Sequence, residues 1–560
     1  MIKERKDVMK GGGRVKMTIK YFAGFSIEKE ILLKKEGVVM RKCFWLLSLI
    51  ISAVFLWSAL GVAGENIPSV TIQYSPKYRE GKPRCIPEYK DWKEAKWPVP
   101  FKDPNSNLPF WVRNWNYWAK KTGNREWIAW GRRLANPKAI ELGKAWIKLN
   151  GIDCSKIVAL SKVAPDIKPG VVITQKNWQN YPGLKELWPK SLWIRLTNNA
   201  YVPYKVIKIA PTQHIYKSRG MLYYTKKFLN KPHIDKEGMM DLAKDNYVAG
   251  VPFPFVPACT NWDDPKYSLG DRYGNKLAWY LVHDMDRLVV GQDNLSFNPI
   301  IPTQLDKHAK LERTYKWGLY WRIYWGRTDI PPTPWVPGKE DIESKGSIAA
   351  IYPFDIRGFA ATRWRYTDKN REAYFVCYLP ALRRIRRLSG SDTQDPILGT
   401  ELTWEDWKVW WQKISQKIWP SKAVMLRAEE ILTPLMWDRR FEWDEKNFIV
   451  AYYERRPSWV IDYIAVPPST YFYKVRRAWI DFEVKRVNYD ECYDRRGRLW
   501  RTWLDFKRWY PETGYFTWWG CDIPDHVNRH YTVLQMQAVV NDPKVTDSYF
   551  DLRFLSRMAH

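Results

Sequence analysis

The chain is 560 residues long, and 45% of its residues are hydrophobic and 27% are charged. This length allows two to four domains around a large core, and the hydrophobic content excludes an intrinsically disordered protein. The net charge of +31 is compatible with nucleic acid, anionic lipid or an acidic polymer as partner, but acidic residues are interspersed with the basic ones, so a mildly cationic surface is the simpler interpretation.

Aromatic residues are the compositional outlier, with 34 Trp, 33 Tyr and 21 Phe. Aromatic side chains favour strands and offer flat apolar surfaces with one polar edge. The composition therefore predicts sheets whose side chains can line a groove.

The N-terminal region has the three parts of a secretory signal. Residues 43–63 form an uncharged apolar run that follows Arg41 and Lys42 and ends on the small residues Gly61 and Ala63. A run of about 20 apolar residues also suits a membrane anchor. The small-residue end and the lack of a basic cluster after it favour cleavage after Ala63.

Residues 1–63 are accordingly predicted to be a signal region, with translation starting at Met40. The 39 residues before Met40 are long and of mixed charge for a signal peptide, whereas Met40 begins an ordinary one. The mature protein is then exported, which argues against a nucleic-acid partner despite the charge.

Six cysteines follow the signal region: Cys85, Cys154, Cys259, Cys377, Cys492 and Cys521. An oxidising compartment permits disulfides among them. Cys492 and Cys521 are a plausible pair because both lie near the ends of strands predicted to be adjacent. No CxxC or CxxCH motif is present, so the sequence predicts no metal or haem site and no cofactor.

Residues 64–160 are predicted to form a proline-rich extended arm followed by short tryptophan-rich helices. Trp111, Trp115 and Trp118 recur at helical spacing, and Pro137 and Gly151 suit the start and the end of a helix. Such a tryptophan stripe can lie on a lipid surface, but it more often packs into a core.

Residues 161–560 are predicted to form a β-rich body of aromatic and β-branched runs separated by turn residues. The proline-rich residues 328–345 interrupt it as an internal boundary or a long crossing loop. Residues 494–497 are predicted to form a hairpin turn. One amphipathic helix is predicted from the helical spacing of Trp404, Trp407, Trp411, Ile414 and Ile418.

These elements together predict an α+β fold. Successive antiparallel strands with one amphipathic helix favour a curved antiparallel sheet, a half-open β-barrel, wrapped on helices. An incompletely closed sheet of this kind can hold an apolar ligand between sheet and helix.

We recognise no catalytic motif in the sequence. The chain has seven histidines, and His526 and His530 are interpreted as surface or loop residues because no HExxH motif accompanies them. It has no GxSxG elbow, no phosphate-binding GxxxxGK[ST] loop and no Gly-rich dinucleotide fingerprint. A pair of glycosidase carboxylates cannot be recognised from sequence. The favoured interpretation is a binding protein and not an enzyme.

The densest unusual segment is residues 374–407. It contains Tyr378-Leu379-Pro380, a run of four arginines between residues 383 and 387, Ser391-Asp392, Gly399-Thr400-Glu401 and Trp404-Glu405-Asp406. This pattern resembles the periplasmic family known as domain of unknown function 1329 (DUF1329). Weaker matches at residues 170–181, 249–254, 493–500 and 525–530 extend the resemblance over about residues 165–557.

The resemblance implies a half-open β-barrel closed by helices, similar to the outer-membrane lipoprotein-sorting proteins LolA and LolB. It implies a periplasmic protein that is peripheral to the outer membrane. Such a protein would handle lipid or other hydrophobic cargo beside an outer-membrane β-barrel protein or an efflux-type transporter. It carries over no catalytic residue. The candidate residues for ligand or partner binding are Pro252, Phe253, Pro254, Tyr378, Leu379, Arg383, Arg384, Arg386, Arg387, Trp404, Trp407 and Trp411.

Two functions compete with the carrier: a glycan-binding envelope protein and an unrecognised hydrolase. Aromatic side chains that face inward favour lipid, whereas a coplanar exposed row favours glycan. The arginine run also has two interpretations. The four guanidiniums either form ion pairs with Asp392, Asp395, Glu401, Glu405 and Asp406, or leave one face open to an anionic group.

Overall fold

The computed structural model describes most of the chain after residue 106. The described residues are 14–20, 26–32, 71–76, 107–197, 206–242, 244–258, 260–288, 292–390, 392–406, 413–434, 442–444 and 448–557. The predicted signal segment and its cleavage site therefore lie outside the described residues, as do Cys85, Cys259, Trp407 and Trp411. The chain divides into two units, residues 1–69 and residues 70–560.

The first unit contains an antiparallel pair of strands, β1 (Arg14–Lys20) and β2 (Ser26–Leu32). Their register places Arg14 opposite Leu32 and Lys20 opposite Ser26. Apolar and polar residues alternate along β1, as a two-faced strand requires.

The second unit is built on one large sheet. Its strands are β3 (Val172–Thr174), β4 (Val206–Ile209), β5 (Asn294–Leu305), β6 (Leu311–Thr314), β7 (Lys316–Ile323), β8 (Ile342–Tyr352), β9 (Ala360–Tyr366), β10 (Tyr374–Leu379), β11 (Arg384–Arg387), β12 (Ser421–Pro434), β13 (Glu442–Asp444), β14 (Phe448–Ala465), β15 (Val475–Asp481), β16 (Val487–Tyr493), β17 (Leu499–Tyr510), β18 (Tyr515–Asp525) and β19 (His530–Val540).

The main sheet runs in the order β11-β10-β9-β8-β7-β5-β19-β18-β17-β16-β15-β14-β12 and is antiparallel at every step. Its two halves join where β19 pairs with β5, with Tyr531 opposite Leu305. Strand β4 lies parallel to β14 and makes the sheet mixed. Within the described residues no pairing connects β11 to β12, so the sheet is open between these edges. The predicted α+β fold with a half-open curved sheet is confirmed.

The helices of the second unit are α1 (Phe110–Thr122), α2 (Arg125–Leu134), α3 (Pro137–Asn150), α4 (Cys154–Leu160), α5 (Leu184–Leu187), α6 (Lys190–Thr197), α7 (Arg219–Lys227), α8 (Lys276–Leu288) and α9 (Leu552–Arg557). None of the helices in the described part of the chain is long and apolar enough to cross a lipid bilayer.

Helices α1, α2, α3 and α7 cover one end of the sheet, which we call the helical rim. Their buried tryptophans pack against Trp509 and Phe516 beside the β17–β18 turn and Val484 in the β15–β16 turn. Trp111 and Trp115 are buried, so the prediction that the tryptophan stripe belongs to a core is confirmed.

Local signals determine where α3 begins and ends. The side chain of Asn136 accepts a hydrogen bond from the backbone N–H of Lys138, and Pro137 occupies the first turn, where its missing N–H is not needed. Gly151 follows in the left-handed conformation at φ 71°, which ends the helix. The predicted helix punctuation is confirmed.

The segment between β11 and β12 passes over the inner face of the sheet in its described residues, which are 388–390, 392–406 and 413–420. Its Ile397, Leu402, Trp404 and Trp419 belong to one buried cluster with residues from β5 and β7–β10 and others from β16–β19. Because both halves of the sheet contact the same segment, the sheet must curl around it.

The amphipathic helix predicted for residues 404–418 is not formed in the described parts of that range. Residues 404–406 and 413–418 form turns and irregular backbone, and the residues between them are not described. The Trp404 carbonyl, which a helix would use within its own ladder, accepts a hydrogen bond from Arg363 at 2.7 Å. Trp404 packs edge-on against Phe375 with ring centroids 4.8 Å apart. Tertiary contacts therefore override the helical pattern.

The predicted pairing of Cys492 with Cys521 is also wrong, because both thiols are free and buried. Strand β17 lies between their strands: Cys492 is opposite Arg501, and Cys521 is opposite Asp505. Two strand spacings amount to about 9.5 Å, which exceeds the Cα separation of about 7 Å that a disulfide can bridge.

Candidate functional site

A cavity of about 370 Å³ lies between strands β9–β11 and the segment that crosses the inner face. We call it the β11 cavity. Strand β10 sets its geometry, because Phe375 lies opposite Arg363 of β9 and Val376 lies opposite Arg387 of β11. The crossing segment supplies the opposite wall through Glu405, Lys413 and Trp419.

Apolar side chains form part of the wall. Phe375 and Trp419 are buried, and Ile418 is half-buried beside them. Trp419 is held in place by an edge-on contact with Tyr471, with ring centroids 5.3 Å apart. This part of the cavity suits an aliphatic or aromatic body.

Charged side chains form another part of the wall. Arg363 is buried and binds Glu405, with 2.9 Å between Nη2 and Oε1. Burial alone would raise the pKa of Glu405, but the attraction of Arg363 and Arg365, together with hydrogen bonds from Thr393 and the Lys413 backbone, outweighs it and holds the pKa below its usual range. The Nε atom of Arg363 has no hydrogen-bond acceptor within the described residues.

Lys413 is the second buried cation of the β11 cavity. Burial and the repulsion of Arg365 and Arg363 lower its pKa to about 8, although Glu372 acts in the opposite direction. A bound anion would favour the charged form of Lys413 and relieve this repulsion. Apolar and cationic walls together suit a molecule with an apolar body and an acidic group.

The structure places part of the predicted arginine run at this cavity. All four arginines are exposed, and Arg387 lines the cavity. Arg383 precedes β11 in the left-handed conformation at φ 47°, so the run is not one continuous extended segment. Within the described residues the run makes one ion pair, between Arg386 and Asp392 at 3.1 Å.

Three of the five expected partners of the arginine run, Glu401, Glu405 and Asp406, bind residues of other strands. Glu401 contacts His530 and Thr532 of β19, and Asp406 contacts Arg476 of β15. The interpretation in which the run forms an ion-pair lattice with these carboxylates therefore does not describe the structure. What holds the crossing segment is a set of basic residues from other strands.

Of the other predicted residues, Trp404 contacts the wall of the cavity, whereas Tyr378 and Leu379 do not line it. Tyr378 and Leu379 end β10 and are half-buried, and Trp404 is buried against Phe375. Trp407 and Trp411 lie outside the described residues.

The predicted Pro252, Phe253 and Pro254 are not brought to the β11 cavity. All three are buried. The ring of Phe253 stacks on Tyr280 of α8 at 3.9 Å, and its backbone N–H donates to Asp284 at 2.8 Å. These contacts place the segment in the core against α8.

Sequence reasoning missed Arg363 and Lys413 as site residues. Arg363 and Arg365 are two residues apart in a strand, so they point to the same face, which also carries the buried Ala361. Two arginines on the buried face of a strand are a usable signal, because buried charges need partners. Nothing local to Lys413 marks it.

A wider cleft of about 680 Å³ lies between residues 235–242, 367–370 and 416–417. Its walls carry four carboxylates, from Asp235, Glu237, Asp241 and Asp368, and three cations, from Arg272, Lys369 and Lys417. This polar lining does not suit an apolar cargo.

Two buried groups of side chains are close enough to hold a metal ion: Asp153, His214 and Glu483, and Cys154, Asp481 and Glu483. Arg456 already binds Asp481 at 2.7 Å and Glu483 at 2.9 Å. His214 also contacts Glu483, at 2.6 Å. We interpret the cluster as an ion-pair network that joins the helical rim to β15.

Comparison with known proteins places most of the chain in one family. The family described as "Protein of unknown function (DUF1329)" matches residues 172–553. No curated protein matches the chain.

The chain is also similar to solved structures. One is a domain described as an outer-membrane lipoprotein-sorting protein from Vibrio parahaemolyticus, with 17% identity and a TM-score of 0.35 over 49% of this chain and 95% of that one. Another is a DUF1329 family protein from Desulfovibrio piger, with 16% identity and a TM-score of 0.36 over 50% and 98%. A third is a LolA superfamily protein from Nitrosomonas europaea, with 15% identity and a TM-score of 0.32 over 50% and 98%.

Proposed function

The chain belongs to the DUF1329 family, and from that premise we propose that it binds and carries a lipid or another hydrophobic molecule without transforming it. The β11 cavity is the observation that carries the proposal. Its apolar wall of Phe375, Ile418 and Trp419 accepts a hydrophobic body, and Lys413 and Arg387 can bind an acidic group.

The position of the tryptophans supports a hydrophobic cargo over a glycan. Eleven tryptophans are among the largest fully buried side chains, and they pack within the cores on both faces of the sheet and at the helical rim. Stacking on sugar rings needs aromatic faces open to solvent.

We place this activity in the periplasm, where the predicted signal peptide would deliver a mature chain beginning near Gly64. An outer-membrane β-barrel protein or a transporter is the partner that we propose for delivery of the cargo. N-terminal sequencing of the protein from cells tests whether the mature chain begins near Gly64, since recovery of residues 1–39 contradicts that start.

A substitution that fills the β11 cavity with a larger side chain tests the carrier function. Gly390 borders the β11 cavity, and a Cβ added there meets only the Glu372 carboxylate oxygens, at 3.8 and 3.9 Å. A Gly390→Phe variant should therefore fill the cavity without backbone strain. The matched control is Gly390→Ala, which leaves most of the volume open.

The experiment combines two measurements. Native mass spectrometry of protein purified from the cell envelope should show a bound amphiphile on the wild type and on Gly390→Ala, and not on Gly390→Phe. Titration with a fluorescent long-chain fatty acid should show affinity at least about tenfold weaker for Gly390→Phe at an unchanged unfolding temperature. Equal affinity of all three proteins, or no binding by the wild type, contradicts the proposal.

A further inference from the structure

The end of the sheet opposite the helical rim carries unusual exposed side chains. The register places the β8–β9 loop (residues 353–359) and the β10–β11 loop (residues 380–383) side by side, because Tyr378 lies opposite Ala360. The start of β7 is at the same end, since Lys316 lies opposite Tyr352. We call residues 306–316, 351–357 and 380–387 the basic rim.

Large apolar side chains are exposed on the loops and strand ends of the basic rim. Phe354 is 85% exposed, Leu311 is 65% exposed and Leu382 is 64% exposed. Tyr352 and Ile385 are also exposed large side chains. Single exposed apolar residues are ordinary, but a group on neighbouring loops at one end of a sheet indicates an interaction surface.

The charge of the same residues is strongly positive. The basic rim contains nine arginines and lysines and three carboxylates, those of Asp306, Glu312 and Asp355. Two of these carboxylates are already bound: Asp355 to Arg313, and Glu312 to His530. The Arg313–Asp355 pair also ties β6 to the β8–β9 loop, so the loops form a continuous surface.

We propose that the basic rim docks on the surface of an anionic lipid bilayer. Phe354, Leu382 and Leu311 would enter the boundary between head groups and acyl chains, while the arginines bind the acidic head groups. Apolar tips combined with basic residues fit this surface better than an acidic protein, which offers no apolar layer for the tips to enter. The proposal is independent of the cargo assigned to the β11 cavity.

Vesicle binding tests the proposal on the full mature chain. The probes are vesicles of phosphatidylethanolamine with phosphatidylglycerol, and neutral vesicles of phosphatidylcholine. The wild type should bind the anionic vesicles, with affinity that falls as salt is raised, and should bind the neutral vesicles weakly. No binding to either, or equal binding to both, overturns the proposal.

Two pairs of substitutions separate the apolar and electrostatic contributions. Phe354→Ser with Leu382→Ser should weaken binding to anionic vesicles at least about tenfold. Arg383→Asn with Arg384→Gln should weaken it by on the order of 30-fold, and this loss should shrink at high salt. All four residues are exposed, so the unfolding temperature should not change.

Matched controls lie on the helical rim. Lys120 and Lys121 are exposed at the end of α1, and Tyr223 is 59% exposed on α7. Lys120→Gln with Lys121→Gln, and Tyr223→Ser, should leave vesicle binding unchanged. If these controls lose as much affinity as the basic-rim variants, the assigned surface is wrong.

Competition with soluble polyglutamate distinguishes an acidic protein partner from a membrane. Polyglutamate should displace the protein from vesicles weakly, and the Phe354→Ser, Leu382→Ser variant should bind polyglutamate as the wild type does. The opposite result has two parts: polyglutamate binds as tightly as the vesicles, and the Phe354→Ser, Leu382→Ser variant binds vesicles as well as the wild type does. That result indicates an acidic protein partner and overturns the proposal.

Discussion

Glu405 and Asp406 are neighbours in the chain but bind arginines on opposite halves of the sheet, Arg363 in β9 and Arg476 in β15. All four side chains are buried. The two adjacent carboxylates therefore link the halves across the inner face, where β11 and β12 have no direct pairing within the described residues.

Removing one carboxylate of this link should destabilise the protein. Glu405→Gln leaves the buried Arg363 guanidinium without its counter-charge, and breaking one partner of a buried ion pair costs about 3 to 5 kcal/mol. The change should appear as a lower urea midpoint. Asp395→Asn is the control, because Asp395 is exposed in the same segment, and it should leave the midpoint unchanged. Equal midpoints for all three proteins contradict the link.

The stability of the protein should depend on the protonation of His530. Hydrogen bonds and attraction from Glu401 and Glu312 outweigh burial and raise the pKa of His530 to about 9. The folded-state pKa lies above the unfolded value of about 6.5, so this stabilisation is complete below about pH 6.5 and is lost as the pH rises through about 9.

The measurement is the unfolding temperature between pH 6 and pH 10. His530→Gln should lower it at pH 6 and converge with the wild type near pH 10. The control is His308→Gln, at an exposed position of the β5–β6 loop, whose profile should follow the wild type. A constant difference between His530→Gln and the wild type across the range would argue against the titration.

Affinity for an acidic cargo should depend on Lys413. Because burial and the neighbouring arginines lower the pKa of Lys413 to about 8, the charge that attracts the cargo is present below that pH and is lost above it. Binding of a long-chain fatty acid should weaken by about tenfold between pH 7 and pH 9, which is the size of one charge-assisted hydrogen bond. A fatty alcohol of equal length should show no such change. Lys413→Met should abolish the difference, and its persistence in that variant would assign it to another group.

Substitution of two glycines by alanine separates the cost of backbone strain from the cost of steric overlap. Gly514 and Gly123 have similar left-handed φ values of 71° and 65°. A Cβ at Gly514 would lie 2.4 Å from the Lys217 backbone, whereas at Gly123 it meets nothing within 4 Å. Gly123→Ala should cost about 1 to 2 kcal/mol from strain alone. Gly514→Ala should cost about 1 to 3 kcal/mol more, because it also separates the β17–β18 turn from the helical rim. Urea unfolding measures both, and equal losses contradict this contact.

The buried thiols should be reduced and unreactive in the folded protein. Cys154, Cys377, Cys492 and Cys521 are free and buried, and burial raises the pKa of each thiol. An alkylating reagent should modify them only after denaturation, and without prior reduction. Mass spectrometry of tryptic peptides measures this, and a Cys492–Cys521 cross-linked peptide contradicts the structure.

Sequence predicts those parts of the fold that depend on local chemistry. Pro137 and Gly151 begin and end α3 through their own φ preferences. In the β16–β17 hairpin, Asp494 accepts hydrogen bonds from the backbone of Arg496 and Arg498, and Gly497 takes a φ of 76°. Each of these signals lies within a few residues of the structure it causes.

The rest depends on partners that are distant in the chain. The spacing predicts that a helix begins at Trp404, where the structure has a turn, and Arg363, about 40 residues earlier, donates a hydrogen bond to the Trp404 carbonyl. The β11 cavity is equally non-local, since Arg363 and Lys413 meet only after β9, β10 and the crossing segment have assembled. The arginine run was recognisable as unusual, but its neighbours in sequence are not its neighbours in space.

The pairing of β19 with β5 has a consequence for folding. Strand β5 precedes its partner by more than 200 residues in the chain, and its other edge pairs with β7. Until residues 530–540 are available, the long edges of β5 and β18 both present unpaired backbone groups. Such edges recruit other chains into aggregates, and contacts between residues so far apart form slowly. A chain in which β19 has not yet paired is therefore open to association with its copies through these edges.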